Sequence, residues 1–520
     1  MAILSDIGHI WRLSHVGWVL AREGAFSAVD ETVLPPLARP ILKIAKILAR
    51  PHSSGALAPA IARLGPSYVK LGQFLATRPD IAGLRLADEL SALQDKMAPF
   101  PQTEAIEAVE AAFGRKISEI FVEFGPPIAA ASIAQVHRAK VSDEGKIRDV
   151  AVKVARPGVQ RRFRRDLGDM YFAARLAAKF MPDADRLQPI SVVDTLARSV
   201  TIEMDFRLEA AAASEFAENT ASDLDLRVPL VDWERTAKDV MTLDWIEATP
   251  LGDVAALKAR GLDLPKLGDK IIQSFLRHAV HDGFFHADMH QGNLMVDEDG
   301  RLVVVDYGIM GRLGLNERRF LAEILYGFIT RNYLRVAEVH FEAGYVPAHY
   351  SVHDFAQAIR AIGEPIHSKT ADQISMAKLL TLLFEITALF DMRTRTELVM
   401  LQKTMVVVEG VARSLNPRLN MWATSEPVMR EWIERNLGPL GKISDVGDGL
   451  MRFGKMTAAL PEWMNRAEQA LNTLESAAAN GFSLSEKSVE AIGKAEAKRA
   501  RWGNAALWVI ATLLALHYWH

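Results

Sequence analysis

The segment 286–308, HADMHQGNLMVDEDGRLVVVDYG, constrains this chain more than any other. Two apolar runs, LMV and LVVV, flank an Asp299-Gly300 step, the pattern of a tight β-hairpin. Asp288 and Asn293 stand just before the hairpin, and Asp306 follows it, eighteen residues beyond Asp288. A hairpin with these ends brings two carboxylates and an amide to one place. Hard oxygen donors of that kind suit Mg²⁺, and a neighbouring carboxylate can orient an attacking hydroxyl or water. Phosphoryl transfer asks little more of a protein than such positioning and charge. The bland reading is a hairpin with ordinary turn acids such as Asp297 and Asp299, and it leaves the order of Asp288, Asn293 and Asp306 unexplained.

The interval from Asp288 to Asn293 equals that of the protein-kinase catalytic loop, and Asp306-Tyr307-Gly308 stands where a kinase carries its second metal-binding triplet. Upstream, VAVKVA places Lys153 in a β-branched run, the setting of the lysine that holds the α- and β-phosphates. Alone, such a lysine reads as a solvated residue of an edge strand. It needs a carboxylate partner, and TIEMDFRLEA offers Glu203, Asp205 and Glu209, with Glu209 the first choice and Glu203 the second. Where a kinase has its glycine loop, residues 128–137 read IAAASIAQVH. Ala129, Ala130, Ala131 and Ser132 then lie over the phosphates. Their Cβ atoms restrict close backbone approach, which predicts an altered nucleotide preference or phosphate pose. In LDWIEA, Asp244 and Ile246 are the candidates for contact with the base.

Short β-branched runs cluster at roughly 117–160 and 226–247. After the hairpin the chain reads as helix from 311 to about 500, with breaks expected at Pro347, Pro417, Pro427 and Pro461. A small strand-rich unit before a large helical one is an α+β, two-lobed pattern. Lys and Arg number 61 against 64 Asp and Glu, so no basic field points to nucleic acid. Cysteine is absent, which excludes a disulfide scaffold, a thiol nucleophile, Cys-ligated zinc and iron–sulfur clusters. Metal binding by His281, His286 and His290 is the weaker alternative to the oxygen site of Asn293 and Asp306.

At the N-terminus, Asp6 and Arg12 interrupt any signal-peptide core, so secretion is rejected. Ile3, Ile7, Ile10 and Trp11 repeat at helical spacing, and ILKIAKILAR (41–50) mixes apolar with basic residues. Both suit a helix on a membrane surface or one packed on the protein body. Residues 502–520 contain no Asp, Glu, Lys or Arg. As a helix they would reach about 28 Å, barely a hydrocarbon core. Lys498, Arg499 and Arg501 precede them, which by the positive-inside rule puts the body on the cytoplasmic side. The alternative is a terminal helix packed on a partner.

Four features together resemble the UbiB family of atypical, protein-kinase-like proteins, also called the ABC-one or ADCK family. They are YVKLGQFLATRPD, holding Lys70, Gly72 and Gln73 as a KxGQ motif; Ala129–Ser132; Glu203 and Asp205 as an ExD motif; and FFHADMHQGN with DYG. The match runs over roughly residues 60–440, and LQKTMVVVEGVARSLNPRLN (401–420) looks like the family's C-terminal region. The resemblance implies a two-lobed kinase-like fold whose helical extension carries KxGQ across the peptide-substrate site and restrains ordinary protein phosphorylation. It implies a conditional ATPase using ATP and Mg²⁺, tied to ubiquinone biosynthesis, with membrane lipid, prenylated quinone precursors and the biosynthetic enzymes as partners. Lys153, Glu209 and Asp288 are then catalytic and Asn293 and Asp306 bind metal. Lys70, Gly72, Gln73, Glu203 and Asp205 regulate the cleft.

The divisions expected are N-terminal helices over 1–59, the KxGQ extension over 60–125, a small lobe over 126–250 and a large lobe over 251–440. A helical tail follows over 441–500, then the candidate anchor at 502–520. Gln291 stands where the family usually has proline, and Tyr307 where it more often has phenylalanine, adding a hydroxyl that needs a partner. A true protein or small-molecule kinase and a non-catalytic nucleotide-sensing scaffold are the alternatives. A direct quinone hydroxylase lacks a flavin fingerprint or an iron triad.

Overall fold

A computed structural model describes residues 2–25, 46, 57–76, 89–90, 93, 97–180, 188–367, 386, 389–392 and 396–437. The chain divides into Met1–Ile433 and Glu434–His520, and the architecture below is that of the first unit. Segment 41–50 (Lys46 apart), the tail over 441–500, Pro461 and the candidate anchor at 502–520 lie outside the described residues.

Three helices come first: α1 (Ala2–Arg22), α2 (Leu57–Leu64) and α3 (Pro66–Ala76). Then α4 (Gln102–Phe113) and α5 (Ile117–Ile120) lead into β1 (Glu123–Ala130), β2 (Ala134–Asp143) and β3 (Lys146–Ala155). Three further helices, α6 (Val159–Phe180), α7 (Pro189–Glu203) and α8 (Phe206–Asn219), precede β4 (Leu226–Arg227), β5 (Val240–Asp244) and β6 (Ala248–Pro250). The strand β3 shows why the first sheet forms where it does. Its Val150, Val152 and Val154 alternate onto one face and are fully buried. They pack there with Ala105 and Val109 of α4 and with Ile120 and Phe121. The opposite face is covered by Phe163 and Leu167 of α6, Leu196 of α7 and Phe206 of α8. The sheet is antiparallel, in the order β1-β2-β3-β5.

Past β5 the chain leaves this sheet through Trp245, Ile246 and Glu247 and enters a second one at β6. After α9 (Val254–Ala259), the long α10 (Leu264–Arg277) runs on through a π turn at His278–Asp282. Next come β7 (Phe284–His286), β8 (Leu294–Asp297), β9 (Leu302–Val304) and β10 (Met310–Arg312). The second sheet has the order β4-β9-β8-β6, and β7 pairs with β10. Leu294 faces Val304 and Val296 faces Leu302, so β8 and β9 are the hairpin expected around Asp299-Gly300.

The remainder is helical: α11 (Leu315–Ile329), α12 (Tyr333–Glu342), α13 (Val352–His367), α14 (Thr396–Leu415) and α15 (Met421–Leu437). The close approach of α10 to α14 depends on Gly268, since a Cβ there would meet the Ala412 carbonyl at 2.9 Å. Pro347 and Pro417 fall between helices as expected. Pro427 does not break a helix: it lies inside α15. The helix holds through the missing N–H because Thr424, Ser425, Val428, Met429 and Trp432 bury one side of it. At the other end, α1 is tied to α6, since His9 Nδ1 and Arg12 donate to the buried Asp169 at 2.5 and 2.7 Å. The packed-helix alternative thus holds for α1, which still exposes Trp11 and Trp18. The whole is the α+β, two-lobed arrangement the sequence indicates.

Candidate functional site

Alternation along β3 sends Lys153 to the face opposite its three valines. There Lys153 Nζ donates to Glu209 Oε1 at 2.6 Å and to Asp306 Oδ2 at 3.4 Å. Glu209 reaches it from the first turn of α8. That helix is seated by the buried Phe206, Ala210, Ala213 and Phe216 and capped by Asp205, whose carboxylate accepts the Arg207 N–H. Burial alone would push the Lys153 ammonium down, but the charges of Asp306 and Glu209 more than reverse this and raise it. Burial would likewise push Asp306 up; Lys153, the Gly308 N–H and Lys70 together hold its carboxyl well below the usual range. Glu209 moves up, because burial and the charge of Asp306 outweigh the help from Lys153. The cleft therefore holds a charged lysine against a charged, half-exposed Asp306.

Below this lies the loop after β7. His286 is buried and links the two motifs. Its Nδ1 accepts the Asp288 N–H at 3.1 Å, which leaves Nε2 to donate to the Asp306 carbonyl. Burial pushes its pKa down, so it is a neutral structural bridge. Asn293 Nδ2 donates to the Asp288 carbonyl at 3.0 Å, and the Asn293 carbonyl accepts the Val305 N–H at 3.2 Å. Its amide nitrogen is thereby committed and its oxygen remains as the donor for a cation. Asp306 Oδ1 accepts the Gly308 N–H at 2.9 Å. The donor set around Asp306 and Asn293 is hard oxygen, which fits Mg²⁺ completed by phosphate oxygens. Among the described residues no three His, Asp or Glu side chains gather as a closed metal site, and this removes the cluster of His281, His286 and His290. Tyr307 is buried, its hydroxyl donates to the Val304 carbonyl at 2.6 Å, and its ring lies 5.9 Å from that of Phe216 on α8.

The extension enters the cleft from the side. Lys70 Nζ on α3 lies 2.6 Å from Glu203 Oε2 at the end of α7, and both side chains are largely buried. Gly72 sits against residue 93: a Cβ there would meet Leu93 Cδ1 at 2.4 Å. Gln73 follows, half buried. Asp205 is not with Lys70. Its carboxylate caps α8 and is paired with Arg207 at 2.6 Å. The ExD pair is therefore split: Glu203 meets the KxGQ lysine and Asp205 starts the helix that carries Glu209. Ala129 and Ala130 end β1, and Ala131 and Ser132 form the bend into β2, closed by Ala131 N–H to the Ala134 carbonyl at 2.8 Å. This bend is tied down. The Ala130 carbonyl accepts the Met97 N–H at 3.1 Å, and Arg156 donates to the carbonyls of Ala131 and Ala98 at 2.9 and 2.8 Å.

Residues 92–340 match the model of the ABC1 atypical kinase-like domain, and residues 359–420 that of the UbiB helical domain. A Marinobacter nauticus protein named probable protein kinase UbiB is 36% identical over 469 residues, which are 88% of this chain and 84% of the relative. The chain belongs to the UbiB family of ABC1 atypical kinase-like proteins. A probable protein kinase UbiB of Aeromonas hydrophila is 37% identical over 408 residues, 78% of this chain and 74% of the relative. A solved structure of Rv3197 with erythromycin, from Mycobacterium tuberculosis, shares 25% identity with a TM-score of 0.48, covering 75% of this chain and 97% of that one. The fold is the protein-kinase-like one, and at the coarse level the family is one of kinase-like phosphoryl-transfer proteins. Among the described residues no helix is long and apolar enough to cross a membrane.

The segment 245–247 of this UbiB-family chain links the two sheets, and Asp244 at the end of β5 is engaged. Its carboxylate accepts from Arg148 at 2.8 Å, and its N–H donates to the Leu230 carbonyl. The Asp244 side chain thus braces the lobe instead of standing free for a ligand. Burial moves Asp244 up, with Arg148 opposing. Three contacts escaped the sequence reading. Gln135, fully buried, pairs with both backbone groups of Phe100 and fastens the extension to β2. Gln291, at the usual proline position, donates to Ser414 on α14 at 2.9 Å, and Thr404 on α14 donates to the Ala287 carbonyl at 2.9 Å. The run LQKTMVVVEGVARS was noticed as a family segment. Nothing in its spacing says that it abuts the loop 287–293.

Proposed function

We propose that this chain is a membrane-associated, kinase-like ATPase that uses Mg-ATP in support of ubiquinone biosynthesis. The observation that carries the reading is the shared position of three groups distant in sequence: Lys153 is bonded at once to Glu209 and to Asp306. In a phosphoryl-transfer site Lys153 holds the α- and β-phosphates and Glu209 keeps it in place. Asp306 and Asn293 would hold Mg²⁺, which would supply positive charge against the phosphates of the nucleotide. Asp288 orients the attacking water or hydroxyl and accepts its proton. Lys70 and Glu203 close the side of the cleft. Membrane association is supported by the exposed Trp11 and Trp18 of α1 and by the charge-free stretch at 502–520.

ATP turnover by the purified full chain, with and without anionic vesicles and a phenolic quinone-precursor mimic, tests the reading. Turnover that rises with both additions supports it. Transfer of label from ATP to a protein or small molecule in membrane extracts, without free phosphate release, replaces it by a true kinase. Tight ATP binding with no turnover under any condition replaces it by a nucleotide-sensing scaffold.

A further inference from the structure

The loop from Asp288 to Asn293, DMHQGN, contains no lysine or arginine. Its one basic side chain, His290, lies 3.7 Å from Asp288 through Nε2, and its Nδ1 accepts the Gly292 N–H. The lysines placed in the cleft are already balanced: Lys153 by Glu209 and Asp306, and Lys70 by Glu203. A phosphoryl group in transit spreads negative charge over its equatorial oxygens, and a site that moves it needs an uncompensated cation on that side.

Lys403 on α14 has the attributes of that cation. Thr404 is buried, and its hydroxyl donates to the Ala287 carbonyl at 2.9 Å. Lys403 and Asp288 are the chain neighbours of these two contacting residues. Gln291 fastens the loop to Ser414 of the same helix on the far side of Asp288, so α14 and the loop are registered at two points. Lys403 is exposed and forms no hydrogen bond or ion pair among the described residues. Neighbouring protein lowers the pKa of its ammonium, and the charge of Asp288 opposes this. An exposed lysine with no hydrogen-bonded or ion-paired partner among the described residues, within the field of the acceptor carboxylate, is a place for an anion.

We propose that Lys403 contacts the transferring phosphoryl group, so that the helical domain supplies the positive charge that the catalytic loop lacks. The inference rests on the phosphoryl-transfer reading above. As the nucleophile's oxygen forms the new bond to the γ-phosphorus, the bond from that phosphorus to the β,γ-bridging oxygen breaks and its electron pair leaves with ADP. The nucleophile's proton passes to Asp288. Lys403 stays protonated throughout and meets the charge on the equatorial oxygens.

The test compares the full chain with K403M, K403Q and K403R under the conditions that give the wild type its highest ATP turnover. K403M and K403Q should lower kcat by about 100-fold. KM for ATP and the thermal shift given by Mg-ADP should stay near wild type. K403R should restore part of the rate. Binding of Mg-ADP with aluminium fluoride, which imitates the transferring group, should fall in parallel with kcat. A K403M rate within twofold of wild type overturns the assignment and leaves the phosphoryl-transfer reading intact, the lysine then being only a solvated helix residue. Loss of Mg-ADP binding together with rate also overturns it, by showing a structural role. A wild type that binds no nucleotide, or binds it and never turns it over, overturns the phosphoryl-transfer reading itself and this inference with it.

Discussion

Replacing Asp306 by asparagine separates the metal assignment from the lysine's other partners. The variant keeps the shape of the side chain and the Gly308 N–H contact to Oδ1, and it removes the charge that lies 3.4 Å from Lys153. Glu209 still holds Lys153 at 2.6 Å, so the apo protein loses little. Asp306 is half exposed, which limits the lost ion pair to about 1 kcal/mol or less. The effect on ligand should be much larger. At a nucleotide concentration of about 100 times Kd, a bound ligand stabilises by about 2.7 kcal/mol. A cooperative unit the size of Met1–Ile433 has an unfolding entropy of roughly 0.9 kcal/mol/K, so Tm should rise by about 3 °C. A charged ligand lost from the metal should weaken binding by about 100-fold, and at the same nucleotide concentration the stabilisation falls to about 0.4 kcal/mol. That is a shift of roughly 0.5 °C. Differential scanning fluorimetry with ATP, in Mg²⁺ and again in EDTA, reads this directly. The wild type should lose most of its shift in EDTA, and Asp306→Asn should show the small shift in both. An equal Mg²⁺-dependent shift in wild type and variant would refute the placing of the metal on Asp306.

Three further outcomes are expected. A double-mutant cycle of Lys70→Met and Glu203→Gln should give a coupling of about 1–2 kcal/mol in urea unfolding, because the pair is close and largely withdrawn from water; a coupling under about 0.3 kcal/mol would mean that it does not fasten α3 to α7. Tyr307→Phe should cost about 0.5–1.5 kcal/mol, through the lost bond to the Val304 carbonyl, and a variant as stable as wild type would show that bond to be worth nothing. Asp223 is buried and accepts from Ser274, Arg277 and His278. Burial pushes it up, but His278 and Arg277 prevail and its pKa is lowered, so its stabilisation is complete above its unfolded value and declines as pH falls. Asp223→Ala should cost about 3–5 kcal/mol at pH 7, a gap that narrows by roughly 1.4 kcal/mol per pH unit below about pH 4. A gap constant from pH 7 to pH 3 would mean that the charge is not what stabilises.

What the sequence discloses and what it hides divide along physical lines. The hairpin of β8 and β9 is legible because period-two alternation and a turn dipeptide are local properties. Lys153 is legible because its strand alternates with three valines, and Glu209 because a carboxylate four residues past the cap Asp205 falls in the first turn of α8. The different fates of Glu203 and Asp205 are not legible. Two residues apart, they fall on either side of a helix break, so one ends α7 and faces Lys70 while the other begins α8 and faces Arg207. Likewise Pro427 looks like a helix stop by composition, and only the burial of its helical neighbours shows why the helix continues. Tertiary contact, carried by residues with no local signal, decides each of these.

The contacts that no pattern discloses are those that close the site. Elements from outside the two sheets reach it from opposite directions in the sequence. From the N-terminal side, α3 brings Lys70 to Glu203 and adds its charge to the field at Asp306, while Met97 and Phe100 fasten the preceding segment to β1 and β2. From the C-terminal side, α14 binds the backbone beside Asp288 through Thr404 and the loop's Gln291 through Ser414. An alanine-rich bend pinned by Arg156 and Met97 has little freedom to fold down over a nucleotide as a glycine loop would. The charge that such a loop helps to collect around the phosphates must then come from side chains on fixed helices. Lys70 is paired with Glu203 while its charge reaches Asp306. Lys403 has no hydrogen-bonded or ion-paired partner among the described residues. On the proposed reading, two helices rather than a glycine loop bring positive charge toward Asp306 and Asp288.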